Sequence, residues 1–203
     1  MLVDSEPLAH RALCASLAEE GLEIPFAEAV RTFKGRTFRE CLERASARLG
    51  RPLAGDFAAR HRQRLFAAFE RELQPVPGVR EVLLALSVPR CVASSSDPER
   101  LRTSLGLTGL LPLFEGRVFS AAQVARPKPH PDLFWHAAAH AGVAPSRCIV
   151  IEDSELGVQA AHAAGMRALG FAGTELADSS ALERAGARVF HDMRELPALL
   201  QKL

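Results

Sequence analysis

Nowhere does an apolar stretch approach the roughly 18 residues that cross a bilayer, and the opening MLVDSEPLAH has neither a basic start nor an apolar secretion core. Neither a membrane partner nor a cleaved leader is expected, and the reading is of a cytoplasmic protein. Charge of one sign is also missing: 25 basic residues against 24 acidic ones leave a net charge of +1. With no basic patch or stripe, no nucleic-acid partner is expected, and any anion must be held by local groups. The four cysteines, Cys14, Cys41, Cys91 and Cys148, show no CxxC and no metal-ligand spacing. They read as reduced, buried thiols, the last two inside apolar runs. Tyrosine, internal repeats and low-complexity tracts are all absent, and no linker is long enough to separate two independent domains.

What is present is 203 residues, 48% of them hydrophobic, enough for one core and a small accessory domain. From Ser5 to about Leu73 the periodicity is helical throughout: SEPLAHRALCASLAEEG, PFAEAVRTF, FRECLERASARLG and DFAARHRQRLFAAFEREL, each broken by Gly or Pro. At PVPGV the texture changes. Short, nearly continuous apolar runs follow, at Arg90–Ser94, Arg117–Ser120, Cys148–Glu152, Arg167–Phe171 and Arg188–Phe190. Between and after them stand amphipathic stretches, DPERLRTSL, PDLFWHAAAHAG, SELGVQAAHAAG, SSALERAG and MRELPALLQKL. Apolar strands joined by helical crossovers predict a doubly wound parallel α/β sheet, helices on both faces, with the helical block inserted near it. In such sheets ligands bind at the carboxyl ends of the strands.

Three of those ends carry chemistry. Val92-Ala93-Ser94-Ser95-Ser96-Asp97 brings hydroxyls to the start of a helix, where they and free N–H groups suit a phosphoryl oxygen or simply cap the helix. In Arg126-Pro127-Lys128-Pro129-His130-Pro131, prolines flank one lysine, presenting a rigid ammonium or merely a solvated one. Glu152-Asp153-Ser154 places two carboxylates at a strand tip, which suits a hard cation such as Mg²⁺, or a helix cap. Together they form a phosphoryl-transfer constellation. His136 and His140, spaced i, i+4, have no acid between them and read as solvated rather than as zinc ligands.

The order VASSS, RPKPHPD, IEDSELGVQAAHAAG resembles the second to fourth motifs of the haloacid dehalogenase superfamily, in its phosphatase and phosphoglucomutase-like branch, from Leu2 to about Gly173. The resemblance implies that Ser94, with Ser95, and Lys128 hold the transferring phosphoryl group while Asp153 and Glu152 hold Mg²⁺. It also implies a core of residues 1–10 and 75–203, lacking its first strand, and a small helical cap of residues 11–74. Within that cap Lys34, Gly35 and Arg36 fall at the turn that reaches substrate in relatives, or else form a solvated helix corner. Likeness of this turn and of VASSS to 6-phosphogluconate phosphatase-like members implies a phosphorylated sugar or sugar acid as the small-molecule partner. A monomer or weak homodimer is expected.

The family's first motif, Asp-x-Asp-Gly-(Val/Thr)-Leu-(Val/Ile)-Asp-Ser-Glu, is matched here only by Met1-Leu2-Val3-Asp4-Ser5-Glu6. Asp4 is thereby placed beside substrate, and the nucleophilic and general-acid aspartates fall outside the sequence. A displaced start site is the expectation, checkable in the upstream DNA. Without those aspartates the chain should bind but not turn over. A non-catalytic phosphate-ester or protein binder and a sugar-phosphate mutase are the rival readings.

Overall fold

The computed structural model describes residues 1–114 and 116–202. Its helical region comprises α1 (Glu6–Glu19), α2 (Phe26–Phe33), α3 (Phe38–Leu49) and α4 (Phe57–Glu72). Local chemistry sets the ends of α3. Thr37 Oγ1 accepts from Glu40 N at 3.3 Å while Thr37 N donates to Glu40 Oε2 at 2.8 Å, and Gly50, at φ 68°, ends the helix in a left-handed turn. Leu13, Leu17, Ala29, Phe33, Ala45 and Phe57 close a cluster of their own among these helices. The helical region is nevertheless fastened to the sheet along two of its helices. Leu8 and Ala12 of α1, and Leu65 and Phe69 of α4, pack in the main core with Phe171 and Phe190. The cap reading of residues 11–74 thus covers a stretch whose α4 has its C-terminal half in the core. Two passages lead into and out of this region side by side: Val76 N donates to Leu2 O at 3.0 Å and Asp4 N to Gln74 O at 3.1 Å.

The second region is α5 (Val79–Ala85), β1 (Val92–Ser94), α6 (Pro98–Leu107), β2 (Val118–Ser120), α7 (Asp132–Ala141), β3 (Ile149–Glu152), α8 (Glu155–Ala163), β4 (Arg167–Phe171), α9 (Ser179–Arg184), β5 (Arg188–Phe190) and α10 (Leu196–Gln201). Every strand pair is parallel, as the apolar runs predict. The final residue of the expected last helix, Leu203, lies outside the described residues. Along β3 the side chains alternate between layers. Ile149 and Ile151 meet the main core with α5 and α10, while Val150 meets Phe134, Ala138, Ala160 and Ala161 of α7 and α8. A helix at α5 was not foreseen: its seven residues are too few for periodicity to distinguish from a strand.

The sheet is split. Among the described residues β1 pairs with β2, and β3 with β4 and then β5, but β1 and β3 are not paired with each other. Between them lies a cavity of about 1000 Å³. With a partner on one side only, β1 is three residues long and half-buried throughout, shorter than the expected Arg90–Ser94. Cys91, just ahead of β1, is exposed and Cys148, just ahead of β3, half-buried, so the buried reading holds for Cys41 and is corrected for Cys91. No described helix is long and apolar enough to cross a membrane.

Candidate phosphate-binding site at the strand tips

At the tip of β1 the chain turns through Ser94-Ser95-Ser96. Ser94 Oγ accepts from Ser96 N at 3.2 Å, and the buried Ser120 at the tip of β2 donates its hydroxyl to Ser96 O at 2.6 Å. Helix α6 is capped by Asp97, whose Oδ1 accepts from Arg100 N at 3.0 Å. The capping reading of this stretch is met by Asp97 and not by the serines. Ser94 and Ser95 both line the cavity mouth, with a hydroxyl free to donate from Ser94.

Lys128 is 6% exposed. Its ammonium donates to Ala93 O at 3.2 Å, lies 4.8 Å from the centre of the Phe134 ring and is ion-paired with Glu152. The lysine from the proline-rich loop is thereby fixed between the tips of β1 and β3. Glu152 also accepts from Ser154 Oγ at 2.9 Å and from Asp153 N at 3.2 Å. A Cβ at Gly157 would collide with the Glu152 carboxylate, so the first turn of α8 approaches it closely and needs a glycine there. Ser154, not either acid, caps α8 by accepting from Gly157 N at 3.2 Å.

Asp153 points elsewhere. Its Oδ2 lies 2.9 Å from the Met1 amine. Burial opposes ionisation of Asp153, but the charge of that amine outweighs it and holds the carboxyl below its ordinary range. Asp4, close in charge terms to Asp153, Glu6 and Glu175, is raised, by burial first. The two carboxylates read from sequence as a metal pair thus face different cations, Glu152 the Lys128 ammonium and Asp153 the Met1 ammonium. Among the described residues no three His, Cys, Asp or Glu side chains are grouped to hold a metal.

From the helical region, the turn after α2 reaches this mouth. Gly35, at φ 76°, stands so close to the β3–α8 turn that a Cβ would meet Ser154 Cβ at 3.5 Å and Leu156 Cδ1 at 3.6 Å. Lys34 donates to Leu176 O across the cleft and adds positive charge near Asp153. Arg36 turns back onto α2, its Nε donating to Thr32 O at 3.1 Å. Arg100 is a cavity-lining cation without a role in the sequence reading, because it reads as an ordinary residue of the helix after the serines. Its guanidinium lies 5.8 Å from the centre of the Phe69 ring and 3.5 Å from Ser5 Oγ and Glu6 Oε1. Burial alone would raise Glu6, but hydrogen bonding to His10 and the charge of Arg100 bring it down to about 2. Of the paired histidines, His140 is exposed, whereas His136 packs edge-on against Phe119 with its Nε2 buried, which corrects the solvated reading for that residue.

Comparison with known proteins supplies a family context for this geometry. The family model for haloacid dehalogenase-like hydrolases matches residues 2–165. A 6-phosphogluconate phosphatase of Escherichia coli is 32% identical over 171 residues, 84% of this chain and 77% of that protein. Among solved structures, a conserved haloacid dehalogenase-like protein of unknown function from Agrobacterium tumefaciens superimposes with a TM-score of 0.82 at 36% identity, covering 99% of this chain and 93% of that one. A hydrolase of the same family from Deinococcus radiodurans, with bound phosphate and sodium, gives 0.77 at 33% identity, covering 99% and 91%.

Proposed function

The chain belongs to the haloacid dehalogenase-like hydrolases, and from that membership we propose that its strand-tip site is the phosphate-holding part of a phosphatase for small phosphorylated sugars or sugar acids. One observation carries the reading. The Lys128 ammonium is buried and fixed beside Ser94 by the Ala93 carbonyl and Glu152, so its charge is already in place where a tetrahedral anion would sit. Ser94 Oγ would donate to one phosphoryl oxygen. Lys128 would neutralise charge developing on another. The Lys34–Gly35 turn would cover the mouth and keep water out. Relatives named for phosphorylated sugar acids and sugars, 6-phosphogluconate phosphatase and fructose-1-phosphate phosphatase, favour that substrate class.

Mg²⁺ fits part of this site. The Asp153 carboxylate already faces a cation, the Met1 ammonium, and offers the hard oxygen that Mg²⁺ prefers. Glu152 is already held by Lys128 through Oε1 and by Ser154 Oγ and Asp153 N through Oε2. When bound, the ion would supply charge neutralisation on the phosphoryl oxygens. No Asp-x-Asp pair occurs in the 203 residues, which favours binding without turnover by these residues alone as the second reading.

The test is a titration with inorganic phosphate and 6-phosphogluconate, with and without Mg²⁺, followed by ³¹P NMR. Ser94→Ala is expected to weaken binding about tenfold, the loss of one hydrogen bond to a charged group. A chain carrying Asp-x-Asp-Gly ahead of Met1 is expected to hydrolyse an aryl phosphate. Binding indifferent to Ser94→Ala, with no hydrolysis by the extended chain, would sink the reading.

A further inference from the structure

Because the strands are parallel, their tips share one edge of the sheet region and their amino ends the other. At the amino edge every strand is opened by an arginine. Arg90 stands two residues before β1, Arg117 directly before β2 and Arg147 two residues before β3, while Arg167 and Arg188 begin β4 and β5. The register sets Arg167 opposite Ile149 and Arg188 opposite Leu169. These arginines are far apart in sequence and form no basic run; the parallel order gathers them. The passages that lead into the strands, residues 86–91, 116–117, 142–148, 164–167 and 185–188, carry no acid. Asp4, Glu6, Glu152 and Asp153 stand together at the opposite edge, so a net charge of +1 hides the polarity.

Among the described residues Arg90, Arg117, Arg147 and Arg188 pair with no carboxylate, in contrast to Arg60, Arg64 and Arg126, which do. Arg117, Arg147 and Arg188 are exposed. Arg90 donates from Nη1 to Leu86 O at 2.8 Å, and its Nε is buried without a partner. Burial raises the thiols of Cys91 and Cys148; the charge of Cys148 adds to this at Cys91, while Arg117 and Arg147 work against it from beside the two sulfurs. The ends of β1, β2 and β3 therefore bring their cations to one place. At the end of α9, Glu183 is offset by Arg184 beside it. Apolar surface adjoins the arginines. Leu84, in the last turn of α5, Val88, in the passage into β1, and Leu107, at the end of α6, are three of the four large apolar side chains that stand exposed among the described residues. Arg80 Nη1 donates to Gly109 O at 3.0 Å, which ties the turn after α6 to α5.

We propose that the amino edge of the sheet region is a docking surface for an acidic segment of a partner protein, its carboxylates on the strand-opening arginines and its apolar side chains on Leu84, Val88 and Leu107. A guanidinium fork matches a carboxylate with two hydrogen bonds. Neighbouring strands stand about 4.8 Å apart, so one extended segment crossing the edge meets several of these forks. A helix C-terminus attracts a cation by itself, but α7 and α8 already carry His140 and His162 in their last turns, and that attraction fades beyond the last turn. Nucleic acid fits this surface less well. No aromatic side chain stands in the five passages for a base to stack on, and exposed leucine and valine beside arginine suit a protein interface. The surface lies at the end of the strands opposite the phosphate site and is independent of what that site does.

The test titrates the full chain into a fluorescein-labelled Asp/Glu-rich peptide that also carries leucines, followed by fluorescence anisotropy. Binding is expected to weaken as salt rises and to fall about tenfold in Arg147→Glu/Arg188→Glu. Leu84→Ser/Val88→Ser is expected to weaken it about threefold. Binding indifferent to the charge reversal, or kept by a peptide with Asn and Gln in place of its acids, overturns the proposal. Where the reversal lowers Tm, Arg147→Gln/Arg188→Gln repeats the measurement. A readout on the unsubstituted chain needs no variant: phenylglyoxal labels accessible arginines, and mass spectrometry locates them. The peptide is expected to protect Arg117, Arg147 and Arg188 and to leave Arg39, exposed on α3, as reactive as before. Equal protection of Arg39, or none at the three, overturns the proposal. A single-stranded oligonucleotide or a phosphatidylglycerol vesicle that binds more tightly than the peptide assigns the edge to that class of partner and also overturns it.

Discussion

The helical region and the sheet region close their interiors by different means. Residues 6–72 bury Leu17, Ala29 and Ala45 completely and seal their cluster with contacts made inside the same stretch of chain. The sheet region depends on strands distant in sequence meeting edge to edge, and at one place, between β1 and β3, they do not. A helix satisfies its own backbone, whereas a strand relies on neighbours. A gap therefore costs the sheet both hydrogen bonds and burial where it costs a helical bundle burial alone.

The sharpest way to break this comparison is to truncate one side chain in the packed interior and one beside the cavity. Phe69→Ala, at a fully buried position joining α4 to the sheet core, is expected to cost about 3–5 kcal/mol. Val92→Ala, beside the cavity, should cost under about 1 kcal/mol, because its side chain is already half-exposed. Urea denaturation measures both, and a loss at Val92 as large as that at Phe69 would mean that the cavity wall is as well packed as the rest.

Next in size is the buried ion pair. Lys128→Met leaves Glu152 charged and unpartnered by any cation, with an expected loss of about 3 kcal/mol at neutral pH. Adding Glu152→Gln should restore most of it while phosphate binding stays lost. A double variant no more stable than the single one would show that packing, not charge, is what Lys128 provides. On the helical side, Thr37→Ala removes the capping box of α3 and should lower the midpoint by an amount equivalent to about 1 kcal/mol. An unchanged thermal midpoint would show that α3 is held by packing alone.

A last contrast is a pH slope that arises in the helical region. Burial lowers His61 from 6.5 to about 4, helped by the charges of Arg100 and Arg64, and its ring stacks against Phe38 and Phe57. The unfolded chain takes up a proton near pH 6.5 that the folded chain refuses until about 4. Stability from this group is therefore present above 6.5, falls with pH between 6.5 and about 4, and levels off below. His61→Gln is expected to flatten that part of a pH series of denaturation midpoints, and a slope that survives the substitution assigns it elsewhere, with Glu6 the first alternative.

Much of the molecule was legible as pattern. The apolar runs mark all five strands to within two residues, since a strand buried on both faces leaves an unbroken apolar signature. The serine, lysine and acidic tips were legible too, because the carboxyl ends of parallel strands are where side chains meet. What each tip group touches was not. Nothing in Glu152-Asp153 says that one acid would take Lys128 and the other Met1, and nothing in Lys34-Gly35-Arg36 says that the arginine would turn back onto Thr32.

The sequence by itself determined the elements, their parallel order and which residue types stand at the strand ends, because periodicity, Gly and Pro act within a few residues. Only the tertiary structure decided the pairing of charges, the half-exposed state of Val92 and Ile151, and the division of the sheet into two. Those depend on which distant backbones come within hydrogen-bonding reach, and that is a property of the packed chain rather than of any segment of it.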